Sequence, residues 1–423
     1  YGAKDANADA RRLKKEKSDF SSIGVYLRSS AVAKILLKQT IMTTKDRWLL
    51  PDGVEEILPA EARRVENLRR RLLDLFESWG YEFVMPPLIE YLESLLIGAS
   101  RDLDLQTFKV TDHLTGRLMG VRPDMTPQVA RIDAHYLKRG APTRLCYMGS
   151  VLRTKPDGFG GSREPLQLGA ELYGYAGSDA DAEILGLMIE SLRLAGIRDA
   201  HFDLGHVGVF RGLAAQAKLN VEQETELFEA LQRKASNDVE ALLAASDAPT
   251  ASKRMLAGLL ELSGGNEVLA RAHKQLRDAP KPVIRALEEL EAVADLVAKR
   301  PDAPMLNFDL AELSGYHYYT GVVFSAFVPG YGQAIARGGR YDGIGRAFGR
   351  ERAATGFGAD LRQWLRVSAA TSPVLTGVLV SNGDDMALQA EVSRLRAEGQ
   401  RVVMRLSGDK SPASEFGCDR ELV

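Results

Sequence analysis

Cysteine is nearly absent from the chain: two residues in 423, Cys146 and Cys418. Two thiols so far apart form neither a metal-ligand cluster nor a disulfide framework, and they suit a reducing compartment. Histidine is also sparse, with six residues and no metal motif. His201 and His206 come nearest, but a spacing of five residues fits neither a helix face nor a strand face. No metal centre and no cofactor are expected. Long apolar runs are missing too: residues 31–38 are interrupted by Lys34 and Lys38. Nothing else approaches the roughly twenty residues that a membrane span needs. Neither sign of charge dominates, since 55 Lys+Arg face 57 Asp+Glu for a net charge of −2. A global basic excess, common in nucleic-acid binders, is therefore lacking, although a local basic face stays open. What is present is 45% hydrophobic content, ample for a large core in a chain longer than one typical domain. A cytoplasmic protein, free of the membrane, is expected.

The chain opens on Tyr1 and carries a basic cluster, Arg11-Arg12-Leu13-Lys14-Lys15-Glu16-Lys17, before Met42. Met42 directly precedes the first folded pattern, so residues 1–41 read as a non-native or disordered extension. The rival reading is a transit peptide, which Asp5, Asp9, Glu16 and Asp19 make too acidic. Residues 42–370 read as one α+β core. From Pro59 to Trp79, Val65, Leu68, Leu72, Leu75 and Phe76 recur at helical spacing. Gly80 then breaks the pattern, and Tyr81-Glu82-Phe83-Val84-Met85 predicts a strand. Further strands are expected at 144–148, 166–173, 201–204, 305–309, 322–327 and 333–337. Short strands with few intervening helices favour an antiparallel sheet over parallel βαβ units. Residues 207–299 form a helical insertion, with helices predicted at 222–234, 239–245, 253–262 and 283–298. Residues 373–423 carry a small βαβ pattern and read as a partial α/β domain.

Several short segments carry chemistry. In Arg122-Pro123-Asp124-Met125-Thr126-Pro127, an ionised Asp124 and the Thr126 hydroxyl could accept bonds from an ammonium group. Asp124 could equally cap a helix after a proline-kinked turn. Gln167, Gly169 and Glu171 alternate on one strand face, converging an amide and a carboxylate on a small polar ligand. A solvent-facing polar stripe would use the same alternation. Tyr318 and Tyr319 close the segment Leu313-Ser314-Gly315-Tyr316-His317-Tyr318-Tyr319-Thr320-Gly321, and Gly338-Gly339-Arg340-Tyr341-Asp342-Gly343 follows as a strand and turn.

In this order the motifs resemble those of class II aminoacyl-tRNA synthetases, the histidyl branch above all, over roughly residues 48–367. The resemblance implies a class II antiparallel sheet flanked by helices. It also implies a histidine-like pocket made by Asp124, Thr126, Arg153, Gln167, Glu171, Tyr318 and Tyr319. Pro87-Leu88-Ile89-Glu90 is similar to the first class II motif and implies a self-dimer.

The departures fall on the groups that handle ATP. Ser314 stands where the family's catalytic arginine is expected, and a hydroxyl cannot replace a guanidinium fork. Leu152-Arg153-Thr154-Lys155 keeps the arginine of the second motif, but Lys155 reverses the charge of its glutamate. In the third motif, Gly356-Phe357-Gly358-Ala359-Asp360-Leu361-Arg362-Gln363, Gln363 replaces the arginine and Asp360 a glycine. Asp360 would repel a triphosphate; using Arg362 instead would displace the motif by one residue. Losing one preorganised donor costs on the order of 3 kcal/mol of barrier, so little adenylation chemistry is expected.

A ligand pocket kept while reaction groups are lost resembles the regulatory subunits of ATP phosphoribosyltransferase. That resemblance implies no catalytic residue, activation of a short-form catalytic subunit in a four-plus-four assembly, and L-histidine as feedback effector. No tRNA partner is expected. A divergent active histidyl-tRNA synthetase and a synthetase-like RNA-binding regulator remain the alternatives.

Overall fold

The computed structural model describes residues 48–97, 101–156, 161–312, 315–316, 318–368, 376–383 and 385–422. Residues 1–41 lie outside the described residues, as do Ser314 and the C-terminal Val423. Two units are distinct, residues 1–55 and 56–423. Of the first, residues 48–55 form a turn and open chain with Trp48 and Leu49 exposed.

In the second unit, helix α1 (Pro59–Ser78) starts on a proline, whose missing N–H costs nothing in a first turn, and buries Val65, Leu68, Leu72 and Phe76. There follow β1 (Glu82–Phe83), β2 (Ile89–Tyr91), α2 (Leu92–Leu95), α3 (Arg101–Gln106), β3 (Phe108–Thr111) and β4 (Leu118–Val121). Next, α4 (Thr126–Arg131) runs into a wider helical turn over Ile132–Leu137, and β5 (Thr143–Ser150) and β6 (Leu166–Tyr173) form a long antiparallel pair. Helix α5 (Ser178–Leu194), buried over most of its surface, leads to β7 (His201–His206). The insertion comprises α6 (Val207–Ala217), α7 (Val221–Gln232), α8 (Ser236–Ala245), α9 (Thr250–Gly258), β8 (Ser263–Gly264), α10 (Glu267–Gln275) and α11 (Lys281–Ala298). The chain returns through β9 (Leu306–Asp309), β10 (Val322–Phe327), β11 (Ala336–Arg340), β12 (Ala354–Asp360) and α12 (Leu361–Val367). It finishes with β13 (Val378–Val380), α13 (Met386–Ala397), β14 (Val402–Met404) and β15 (Arg420–Leu422).

Nine strands make the main sheet, in the order β1-β5-β6-β12-β11-β10-β7-β9-β8. Pairing is antiparallel except at β1/β5 and β7/β9, so the class is α+β with a largely antiparallel sheet. Helices α1, α5 and α11 contribute to one continuous core against this sheet, centred on Leu72, Leu187, Leu204, Phe308 and Phe357.

Three expectations shift. The strand expected at 333–337 is paired over Ala336–Arg340, three residues later. Gly338 explains this: a Cβ there would lie 2.4 Å from the Gly356 carbonyl, so only glycine lets β11 pass β12 so closely. The insertion is not wholly helical, because β8 pairs with β9 and the helix expected at 253–262 ends as a 3-10 turn over Leu259–Glu261. The small sheet β2-β4-β3 was not foreseen, whereas the βαβ pattern expected in residues 373–423 is present as the parallel sheet β14-β13-β15, with β15 as an added third strand. The latter packs Val378, Val380, Val392, Leu395 and Val402 into a separate small core.

Candidate functional site

Strands β6, β11 and β12 form the floor of a cavity of about 760 Å3, and Gly315, Tyr316, Tyr318 and Tyr319 wall it together with α12. Asp124, Thr126, Arg153, Gln167, Tyr318 and Tyr319 all line it, together with Gln363. Residues far apart in sequence thus meet as expected. Ser314 is outside the described residues, and exposed Lys155 does not line the cavity.

The Asp124 end is preorganised. Asp124 Oδ1 accepts from the Thr126 N–H (3.1 Å) and from the Gln167 amide (2.6 Å), while Gln167 Oε1 accepts from the Met125 N–H (2.9 Å). Gln167 therefore acts first as a brace for Asp124, with its amide already engaged. Asp124 is not the N-cap of α4, a position Met125 holds without a side-chain bond. Arg122 fixes the approach to this turn through the carbonyls of Pro86 (2.6 Å) and Ser150 (3.0 Å).

Glu171 is the main correction. It shares a face with Gln167 and Gly169, but it does not line the cavity. Tyr147 lies across Gly169, where a Cβ would meet the phenol oxygen at 2.3 Å, and covers the carboxyl group. Glu171 accepts from the hydroxyls of Tyr147 (2.9 Å) and Tyr341, and Tyr147 reaches on to Thr126 (2.9 Å). Burial pushes the Glu171 carboxyl up to about 8, against the two phenol bonds that favour its ionised form. A relay Glu171–Tyr147–Thr126 thus underlies the cavity, and Glu171 itself reaches a ligand only through it.

The glycine-rich hexapeptide is scaffold for this relay. Gly339, at φ +155°, leaves room for the Tyr319 ring, whose nearest atom would lie 3.0 Å from an added Cβ. Arg340 is buried against Asp181 (2.8 and 3.0 Å), Tyr341 supplies the phenol on Glu171, and Asp342 accepts from the Ala354 N–H (2.8 Å). Tyr318 stacks on Tyr341, with ring centroids 5.0 Å apart.

At the opposite end, Asp360 lines the cavity but is spent on structure: its Oδ1 accepts from Leu166 N–H (3.1 Å) and Arg362 N–H (3.0 Å), capping α12. Arg362 is buried and directed at the Glu164 carbonyl (3.4 Å), away from the cavity, so it does not replace the missing arginine. Gln363 donates to the Tyr331 hydroxyl (3.0 Å). Sequence reasoning missed Tyr147, Tyr341, Arg337 and Arg366. Arg366 was findable, being one helical turn beyond Gln363 on the same face; Tyr147 was not, because its role depends on pairing opposite Gly169.

Among the described residues no cluster of His, Cys, Asp or Glu is placed to hold a metal ion, and no helix is long and apolar enough to cross a membrane. Cys146 and Cys418 are buried and unbridged.

Comparison with known proteins agrees with this geometry. Residues 53–364 match the family model of histidyl-tRNA synthetase, and residues 376–423 match that of the ATP phosphoribosyltransferase subunit HisZ C-terminal domain. The ATP phosphoribosyltransferase regulatory subunit of Thioalkalivibrio sulfidiphilus is 54% identical over 385 residues, covering 90% of this chain and 97% of the relative. Its counterpart from Pseudomonas syringae pv. tomato is 56% identical over the same coverage. A solved Bacillus halodurans structure, described as an ATP phosphoribosyltransferase regulatory subunit/histidyl-tRNA synthetase, superposes with TM-score 0.78 at 30% identity, over 89% of this chain and 98% of that one. Identity of 54–56% to these subunits over 90% of the chain, with the synthetase-like core and the matched C-terminal domain, places the chain in the family of ATP phosphoribosyltransferase regulatory subunits.

Proposed function

We propose that the chain is a non-catalytic, cytoplasmic subunit that binds L-histidine in this cavity and passes its occupancy to a short-form ATP phosphoribosyltransferase catalytic subunit. The family implies activation of that partner and feedback on the first step of histidine biosynthesis, in an assembly of four plus four chains around a self-dimer. The observation that carries the reading is the braced Asp124 carboxylate beside Thr126, facing Tyr318 and Tyr319 across one cavity. Asp124 and Thr126 suit the ammonium group of an amino acid, and the two phenols suit a flat, polar ring.

Adenylation is not expected. Gln363 replaces a cation and is tied to Tyr331, and Lys155 reverses a charge. One observation favours the divergent-synthetase reading: Arg153, Arg337 and Arg366 still line the cavity. Histidine-dependent pyrophosphate exchange separates the two. The regulatory reading expects none, and exchange at a synthetase-like rate would sink it.

A histidine titration of the reconstituted complex tests the site. Asp124→Asn keeps the Oδ1 acceptor but loses the charge, which removes about 1.5–3 kcal/mol from a charge-assisted bond and raises the inhibitory midpoint tenfold or more. An unchanged midpoint with intact assembly would move the effector site elsewhere.

The self-dimer has a candidate surface in β2-β4-β3. Ile89, Val110, Met119 and Val121 share one face of this sheet, and Ile89 and Val110 are exposed. The opposite face packs on α2, since a Cβ at Gly120 would meet the Leu95 side chain at 2.8 Å. A second copy of the chain is the occupant this face suits.

A further inference from the structure

We infer that the helical insertion sets the shape of the histidine cavity through Arg211 and Glu224, two positioning residues that act on the backbone and side chain of Tyr316. The inference rests on the histidine reading above and extends it to a part of the chain that does not itself carry the amino-acid motifs.

The wall of the cavity that bears Tyr318 and Tyr319 is a tight turn. Gly315, at φ +74°, accepts through its carbonyl from the N–H groups of Tyr318 (2.7 Å) and Tyr319 (2.9 Å). A Cβ on Gly315 would stand 2.6 Å from the Tyr319 ring, so turn and ring are packed as one body. On the sheet side the turn is tied by Thr320, whose N–H donates to the Arg340 carbonyl (2.7 Å). On the other side the insertion holds Tyr316.

The Tyr316 hydroxyl donates to Glu224 in the first turn of α7, and its ring packs on Phe210 of α6 and Phe228 of α7 with centroids 5.4 and 5.2 Å away. Arg211 of α6 places its guanidinium 4.8 Å from the centre of that ring. It also donates to the carbonyls of Tyr316 (3.0 Å) and Tyr319 (3.4 Å). Glu224 and Phe228 are four residues apart and share a face of α7, and Phe228 itself lines the cavity. The helix N-terminus also favours a carboxylate at Glu224. The far end of α7 is tied to the sheet by Lys234, which donates to both oxygens of Asp309 (2.6 Å each).

A guanidinium thus sits behind a turn that lacks its own arginine, yet Arg211 does not line the cavity. It holds the carbonyls of Tyr316 and Tyr319 from behind, so its part is to position the turn. A shift of α7 would move Phe228 and the tyrosine turn together, and by reciprocity histidine would favour one position of α7.

The test uses the reconstituted complex, with inhibition and direct binding of histidine followed together. Glu224→Ala and Arg211→Met are expected to raise the inhibitory midpoint about tenfold, with uninhibited activity and assembly unchanged. Glu224→Gln still accepts from the Tyr316 hydroxyl and should restore most of the sensitivity. Tyr316→Phe keeps the ring packing and should show a smaller, severalfold rise, which covers the case in which the alanine variant folds poorly. Wild-type midpoints in all four variants, beside a raised midpoint in Asp124→Asn, would overturn the inference and leave the cavity reading standing. An unchanged midpoint in Asp124→Asn as well would overturn both.

Discussion

Glu171 behaves unlike the ligand group that its alternation with Gln167 suggested, and the reason is its neighbours. Two phenols use both its oxygens, and burial lifts its carboxyl to about 8. A carboxyl whose folded pKa lies above its unfolded value stabilises the fold fully below about 4.5 and loses that contribution as pH rises through about 8. Wild-type stability should therefore fall across this window relative to Glu171→Gln, which cannot ionise. Thermal midpoints of both proteins between pH 5 and 8.5 check this, and a constant difference would mean the folded carboxyl is ionised throughout, as it is in the unfolded chain. Glu171→Ala is a different experiment. It strips two buried phenols of their acceptor, at roughly 1–3 kcal/mol each, so lost histidine sensitivity there would partly report lost packing.

At the scale of elements, β11 and β12 hold the site because glycines let them close. Gly356 faces Glu171, and an added Cβ would fall 1.5 Å from a carboxyl oxygen. Gly356→Ala should cost about 1–3 kcal/mol by overpacking, read as a lower urea midpoint. Arg340 then locks the end of β11 to α5 by its buried pair with Asp181, and it also donates to the carbonyls of Tyr175 (3.2 Å) and Gly177 (3.1 Å). Arg340→Met should destabilise by about 3–5 kcal/mol, because it strands a buried carboxylate. Replacing Asp181 by Leu in the same chain should recover much of that loss. Urea unfolding of the single and double variants is the measurement. No recovery would show that the carbonyl contacts, rather than the ion pair, fix β11.

At the scale of the molecule, a large mixed sheet serves a cavity, and a separate three-stranded sheet presents an apolar face. If that face pairs with a second copy, Val110→Glu or Ile89→Glu should shift the protein toward monomer in sedimentation. A charge buried in such an interface leaves an uncompensated desolvation cost of several kcal/mol. Unchanged self-association would exclude β2-β4-β3 as the dimer surface.

The α+β class, the α1 helix, β6 and six of the seven expected pocket residues were legible in the sequence, because helical spacing, alternation and short ordered motifs are local. Asp124, Thr126, Tyr318 and Tyr319 are recognisable from their immediate neighbours. The three-residue shift of β11, the covering of Glu171 and the turning of Arg362 away from the cavity were not. Each depends on which residue lies opposite in another strand or helix: Gly356 across from Gly339, Tyr147 across from Gly169, Glu164 beside α12. The same holds for Arg211 and Glu224, which lie about a hundred residues before the turn they support. Local pattern determines which side chains a strand or helix offers; only tertiary packing decides which of them face a ligand and which are consumed in holding one another.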